Sequence, residues 1–290
     1  DFKHIILATL GGNIFLSIIA VLISIIACKT GLTFALLTRY SFGSTGSKAA
    51  SIFVPVVNLG WYTIQAATYG HFVAQVFHMG QVGEGICMAV SAIVMGIFAM
   101  CGIGAITILG YIAIPAIVFL SIATAIRSLG VIGGMEALFA YVPSSDMPLF
   151  TGITAVIGTW VLSTATCIAD IMRYAKDTKA AVSATLTGLL GGNILMIVCG
   201  AIAAIAMQNS DLTVILLGFG LVIPSLILMT TNIFTTNAAN LYSTSLNLSN
   251  AFKMERKKML AILLVLSALA TLTKPYEIGF LFTFLNILGT

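Results

Sequence analysis

Residues 230 to 240 read TTNIFTTNAAN, and seven of these eleven positions carry a neutral polar side chain: Thr230, Thr231, Asn232, Thr235, Thr236, Asn237 and Asn240. The run follows the apolar stretch LILM, where a membrane helix would continue with more of the same. Asn232, Thr235, Thr236 and Asn240 fall at offsets 0, 3, 4 and 8, one face of a helix. Hydroxyl, amide and carbonyl oxygens are hard ligands of the kind an alkali cation accepts. The plainer alternative is threonine bonding back to its own helix, with asparagine joining neighbouring helices. Seven such residues in eleven exceed what helix joining needs.

Two further stretches carry polar groups where apolar ones would cost less. In VPVVNLGWYTIQAATYGH, Asn58, Trp61, Gln65 and Thr68 stand at offsets 0, 3, 7 and 10, again one face. Two amides and an indole can stack on a flat ring and hydrogen-bond its edge. In GITAVIGTWVLSTATCIAD, Gly152 and Gly158 loosen the helix just before Thr159 and Trp160, and Ser163, Thr164 and Thr166 follow. Trp61 and Trp160 are the chain's two tryptophans. Membrane tryptophans usually sit in the interfacial belt, but both of these lie well inside apolar runs, placed to sandwich a planar ligand.

These stretches must be positioned by membrane helices. The chain is 59% hydrophobic and 8% charged, with a mean hydropathy of +1.11; a soluble domain is about 25% charged. About 20 apolar residues cross the hydrocarbon core. Apolar segments punctuated by charge predict about nine helices, near 4–28, 50–77, 86–100, 103–126, 149–168, 180–207, 212–240, 259–273 and 276–290. The chain starts without Met, shows no cleavable signal and stops inside an apolar run, and so is expected to be part of a longer protein, one transporter-type domain over residues 1–290.

Charge sets the orientation. One side collects Lys3, Arg127 and Lys274; the other collects Lys29, Arg39, Lys48, Arg173, Lys176, Lys179, Lys253, Arg256, Lys257 and Lys258. The richer side is expected to be cytoplasmic, which accounts for the net charge of +4 without nucleic acid. The acidic residues, among them Glu84, Asp146, Asp170 and Asp211, all fall at loops or helix ends. Intramembrane charges mark proton relays and charged-substrate paths, so whatever binds here is expected to meet neutral groups.

Other features take structural readings. The five cysteines show no metal spacing and read as small core residues. His71 reads as a structural histidine. CGIGAI lacks the third glycine and the strand of a dinucleotide site. Gly11, Gly12, Gly191 and Gly192 read as close helix contacts. No catalytic arrangement and no P-loop is present, so an enzyme or ATP-driven pump is not expected.

With these residues in hand, ACKTGLTFALLTRYSFGSTGS resembles the cytoplasmic loop of the cytosine permeases. NLGWYTIQ, STATCIADIMRYAKD and TTNIFTTNAANLYS resemble the third, sixth and eighth helices of the nucleobase:cation symporter-1 family. The resemblance runs in order along the whole chain, from the family's second helix to the start of its tenth. It implies an all-α polytopic bundle of the leucine-transporter type, with inverted repeats, broken helices one and six, and ligands near the midplane. It makes Trp61 and Gln65 substrate residues with Asn58 beside them, and Trp160 the stacking aromatic. It makes Asn232, Thr235 and Thr236 the eighth-helix part of a Na+ site, with a substrate amide nearby, for which Asn232 and Asn237 are the candidates. Thr159 and Ser163 join the substrate set through their place beside Trp160. Cytosine permeases tend to have Phe at Trp160, Gln at Asn58 and Gly at Gln65; the Trp/Gln combination is similar to hydantoin and allantoin members.

The implied function is symport of a nucleobase such as cytosine with a cation across the cytoplasmic membrane. Hydantoin, allantoin, purine or hydroxymethylpyrimidine substrates, and H+ coupling, stand as alternatives. No cofactor or protein partner is implied beyond the coupling ion and the bilayer. Apart from His71, about ten residues or roughly 15 Å along the helix from Trp61, the spans hold nothing that titrates near neutral pH, so Na+ is the expected ion. A channel would need a polar stripe through several helices, and an amino-acid carrier would need helix-end amides for a carboxylate.

Overall fold

Helix α1 (Phe2–Thr30) shows how this sequence folds. Thr9, Asn13, Ser17, Ala20, Ser24 and Ala27 are buried, while Leu7, Ile14, Phe15, Ile18, Leu22 and Ile26 point outward. The small and polar stripe faces protein and the large apolar one faces away, the reverse of a helix in water. Helix α4 (Ile103–Ile132) goes further: Ile108, Tyr111, Ile112, Ile114 and Phe119 are each more than 60% exposed. Such a surface belongs against lipid.

The structure is a computed structural model that describes residues 1–143, 147–209, 212–220 and 222–284. The side chains at 162, 164–166, 212–214, 278 and 281–282 lie outside the described set, as do Asp146 and Asp211; Thr164 and Thr166, singled out above, are therefore not placed. The remaining helices are α2 (Phe34–Val76), α3 (Gln81–Cys101), α5 (Met135–Ala140), α6 (Leu149–Met172), α7 (Thr178–Leu186), α8 (Ile194–Met207), α9 (Leu212–Gly218), α10 (Val222–Phe252), α11 (Arg256–Thr271) and α12 (Ile278–Phe284). A π-helical segment, Thr187–Asn193, joins α7 to α8. Among the described residues, four segments are long and apolar enough to cross a membrane: α1, α3, α4 and the α7–α8 unit. The polar stretches of α2 and α10 lower their hydropathy because those helices are shielded by protein rather than lipid.

Two packing groups emerge. Helices α2, α3, α10 and α11 share one core, including Tyr62, Phe72, Met95, Met229, Leu241, Leu260 and Leu264. At Gly70 an added Cβ would fall on the Met88 backbone, so α2 and α3 need the glycine to approach this closely. Helix α1 packs with α6 and α7 instead: Leu16 and Ala20 meet Val156, Ile157, Val161 and Leu189. An added Cβ on Gly12 would lie 2.6 Å from Val156, confirming the close contact expected there.

Several expectations are corrected. The stretch at 29–49 is mostly helix, continuous with α2 across a kink at Gly43, whose φ of 67° suits glycine. The 212–240 span is two helices separated at Phe219–Gly220, and α10 runs on to Phe252; its polar tail LYSTSLNLSN is largely buried. Gly191 and Gly192 make no close helix contact: an added Cβ would meet only Thr187 at 3.9 Å near Gly191 and nothing within 4 Å at Gly192. They lie in the wider π-helical turn, where glycine relieves no clash. Helix α6 is continuous, unlike the broken helix six the resemblance implies; Gly152 gives room to Ala8 instead of unwinding the chain.

Alternate helix ends gather polar networks. At the end carrying most basic residues, Asp170, Phe34, Ser243 and Asn247 meet. At the opposite end Glu84 accepts from His71 (2.8 Å), Tyr276 (2.6 Å) and Lys274 (3.2 Å). His71 also stacks on Tyr276 at 4.4 Å, which gives it the structural role expected. Glu84 stands in the first turn of α3, at a helix end as expected, and is buried there.

Candidate functional site

The depth of each functional side chain follows from a ladder of contacts between α2 and α10. Tyr69 Oη lies 2.8 Å from Thr230 Oγ1; Asn237 donates to the Tyr62 carbonyl at 3.2 Å; Thr244 donates to the Pro55 carbonyl at 3.2 Å. The partners step by seven residues along each helix in opposite directions, two turns at a time. Gln65 is thereby level with the stretch between Asn232 and Thr236, and Trp61 lies about a turn nearer the basic end.

Helix α6 runs parallel to α10 in an equally clear register. The Cys167 thiol lies 3.7 Å from Asn240 Oδ1, and Asp170 accepts from Ser243 and Asn247. Trp160, Ser163, Cys167 and Asp170 stand at offsets 0, 3, 7 and 10, one face of α6. Asn232, Thr236, Asn240, Ser243 and Asn247 form the matching stripe on α10. Carried outward, the register brings Trp160 and Ser163 level with Asn232 and Thr236. Three separate sequence segments thus place Gln65, Trp160, Ser163, Asn232 and Thr236 at one depth, with Trp61 beside them.

Below that level the helices close. Asn58 is fully buried, and its Nδ2 donates to Cys167 Sγ at 3.8 Å. Cys167 in turn faces Asn240, so one thiol connects α2, α6 and α10 as a floor. At the site level the side chains are more open: Trp61, Gln65, Thr159, Ser163, Asn232, Thr235 and Thr236 are half-buried, and Trp160 is 36% exposed. Trp61 packs edge-on against Phe284 of α12, ring centres 5.4 Å apart. Gln65 Oε1 is buried with no hydrogen-bond donor in reach among the described residues.

The hydroxyl protons of the threonines are spent within their own helices. Thr235 donates to the carbonyls of Thr231 (2.8 Å) and Asn232 (2.9 Å), and Thr236 to that of Asn232 (3.0 Å). Thr159 does likewise, to Ala155 (3.2 Å) and Val156 (2.9 Å). A hydroxyl has one proton and two lone pairs. With the proton turned into the helix, the oxygen offers only acceptor density outward, which fits a small hard cation at Thr235 and Thr236.

Asn237 lies apart from this set. Five residues past Asn232 is about 140° around the helix, and its side chain points into the α2–α3–α10 core. It is fully buried, donating to the Tyr62 carbonyl and to Met95 Sδ, both at 3.2 Å. Through its Nδ2, Asn237 anchors α10, the helix that carries the rest of the set, to α2 and α3. The residues that sequence reading passed over are Cys167, Asp170, Ser243 and Asn247. The signal was available in the offsets of α6, where Cys167 and Asp170 continue the face begun by Trp160.

The fold is that of the leucine-transporter type. The closed, bromovinylhydantoin-bound conformation of Mhp1, a nucleobase-cation-symport-1 family transporter, superposes with a TM-score of 0.81 at 16% identity, covering 99% of this chain and 68% of that one. The inward-facing conformation of Mhp1 gives 0.79 at 19% identity, with coverage of 100% and 67%. MhsT in complex with L-phenylalanine gives 0.74 at 17% identity, covering 94% and 72%.

Within that class, the chain belongs to the family of permeases for cytosine/purines, uracil, thiamine and allantoin, which it matches over residues 1–290. It is 31% identical over 262 residues to the cytosine permease of Escherichia coli strain K12, covering 90% of this chain. The cytosine permeases of Escherichia coli O6:H1 and O157:H7 match to the same extent. The chain spans 62% of the length of these relatives.

Proposed function

We propose that the chain is the central part of a secondary transporter that imports a nucleobase such as cytosine with Na+ across the cytoplasmic membrane. The observation that carries this reading is the pair of helix registers, α2 against α10 and α6 against α10, which support a common depth for Trp160, Gln65, Asn232 and Thr236. Family membership supports a nucleobase-type substrate. The resemblance of the loop at 27–47 to cytosine permeases favours cytosine within it.

In the mechanism, Trp160 stacks on the planar ring, with Trp61 lining the same level. Gln65 Oε1 accepts a ring or exocyclic N–H, and Asn232 and Ser163 meet the remaining edge. Asn58, tied to Cys167, forms the floor. Na+ is a transported species, held in part by the outward lone pairs of Thr235 and Thr236. Alternating access follows from rocking of the α1–α6–α7 group against the α2–α3–α10–α11 group. The basic end is the cytoplasmic one.

The test is a binding screen on the full-length protein with cytosine, uracil, hypoxanthine, adenine, hydroxymethylpyrimidine, allantoin and benzylhydantoin, each in Na+ and in K+. Saturable cytosine binding that tightens in Na+ is expected. Preference for a hydantoin would move the substrate to the second reading, which the Trp160 and Gln65 pairing favours. Binding of none of them would defeat the proposal.

A further inference from the structure

Asp170 lies at the end of α6, fully buried. Its Oδ1 accepts from the Phe34 backbone N–H at 3.0 Å. Its Oδ2 accepts from Ser243 Oγ at 2.5 Å and Asn247 Nδ2 at 2.6 Å. Asn247 Oδ1 is itself held by the Ala35 N–H at 2.9 Å. The first turn of α2 is therefore capped by side chains from two other helices, since its own N-cap residue, Thr33, makes no side-chain cap bond. Among the described residues no salt bridge reaches this carboxylate; Arg173 donates to the Asp170 carbonyl (3.3 Å) and turns its guanidinium to Tyr174.

Three neutral donors on two oxygens suit an ionised carboxylate, which only accepts. The bonds cross between the packing groups: Asp170 rides on α6, and all three donors ride on α2 and α10. No other described side chain joins the groups with so many short bonds at the basic end.

We infer that Asp170 is the residue that holds the cytoplasmic side of the transporter shut, and that its two carboxyl oxygens do so by gathering Phe34, Ser243 and Asn247. Inward opening carries α6 away from α10 and α2, so these three bonds must break together and water must replace them. This inference rests on the transporter reading for the direction of rocking, but its test needs no substrate. Asp170→Asn keeps the volume and removes the acceptor at one oxygen. The new amide would face the Asn247 amide, which cannot flip without orphaning the Ala35 N–H. Two donors would then confront each other in a buried place, and such groups are costly when unpaired.

Cys167 reports the result, since it lies about one turn outward from Asp170 on the same face of α6. The full-length protein would carry Cys167 as its sole cysteine, in inside-out and right-side-out membrane vesicles, with a membrane-impermeant methanethiosulfonate as the probe. Asp170→Asn should raise the rate of Cys167 modification from the cytoplasmic side by about tenfold, with no rise from the other side. Ser243→Ala with Asn247→Ala, which leaves the charge in place, should shift it in the same direction and serves if Asp170→Asn does not fold. Unchanged modification in a folded variant, or an equal rise from both sides, would overturn the inference. Failure of the nucleobase screen would strike the transport reading and leave this measurement standing.

Discussion

Asn58 Nδ2 lies 3.8 Å from the sulfur of Cys167, a contact that ties the helix of Trp61 and Gln65 to the helix of Trp160. The thiol also faces Asn240 at 3.7 Å, so it takes a bond from one amide and offers one to another. Cys167→Ser keeps both roles and should preserve substrate affinity and melting temperature. Cys167→Ala removes both of these contacts. Interhelical hydrogen bonds in membranes average about 0.6 kcal/mol, so affinity should fall roughly threefold, with a lower melting temperature in detergent. Equal behaviour of the Ala and Ser variants would show the thiol to be simple packing.

Trp160 is the most exposed member of the site, and an open indole face is what a stacking role needs. Base–aromatic stacking is worth about 1–3 kcal/mol by alanine substitution. In the full-length protein Trp160→Ala should weaken nucleobase binding about tenfold or more, and Trp160→Phe should retain much of it. Calorimetry on the two variants decides; parent-like affinity in Trp160→Ala removes the residue from the site.

Gln65 Oε1 has no donor among the described residues. A site built on such a bond discriminates against ligands lacking the matching group, because the amide is otherwise left unpaired. Gln65→Leu should reorder the affinities of cytosine, uracil and hypoxanthine. A uniform loss across the three would instead identify a packing defect.

Periodicity made much of this legible. The offsets of Asn58, Trp61 and Gln65, and of Asn232 and Thr236, place them on single helix faces, and the structure packs the two helices that carry them against each other. Hydropathy failed where a polar segment is buried by protein: LYSTSLNLSN reads as a loop yet forms the last turns of α10, and most of the loop expected at 29–49 is the first part of α2. Asp170 looked like an ordinary helix-end acid because sequence cannot show that its donors come from residues 34, 243 and 247. Nor can sequence show that the Asn237 amide, next to Thr236 along the chain, is bonded across to the Tyr62 carbonyl and Met95.

The core that carries these faces has its own anchor. Tyr62 is fully buried and donates its hydroxyl to the Ala92 carbonyl, joining α2 to α3. Tyr62→Phe leaves that carbonyl with its intrahelical partner only. A net loss of about 1 kcal/mol is expected, seen as a lower melting temperature in detergent. Ligand rank order should not change, because Tyr62 points away from α6.

Thr236 is the sharpest test of the ion. It stands on the stripe of α10 that faces α6, one turn from Asn232, and its proton is committed to the Asn232 carbonyl at 3.0 Å. The oxygen therefore presents lone pairs to the site and no donor. A cation gains from that arrangement, whereas a proton would need a basic group, and the α10 stripe of Asn232, Thr236, Asn240, Ser243 and Asn247 consists of neutral amides and hydroxyls. Substrate affinity in the full-length protein should rise with Na+ at constant ionic strength. Thr236→Ser keeps the oxygen and should keep the response. Thr236→Ala removes it and should flatten the Na+ dependence while weak substrate binding persists. Uptake in proteoliposomes that ignores a Na+ gradient and follows an imposed pH gradient would show that the coupling ion is H+.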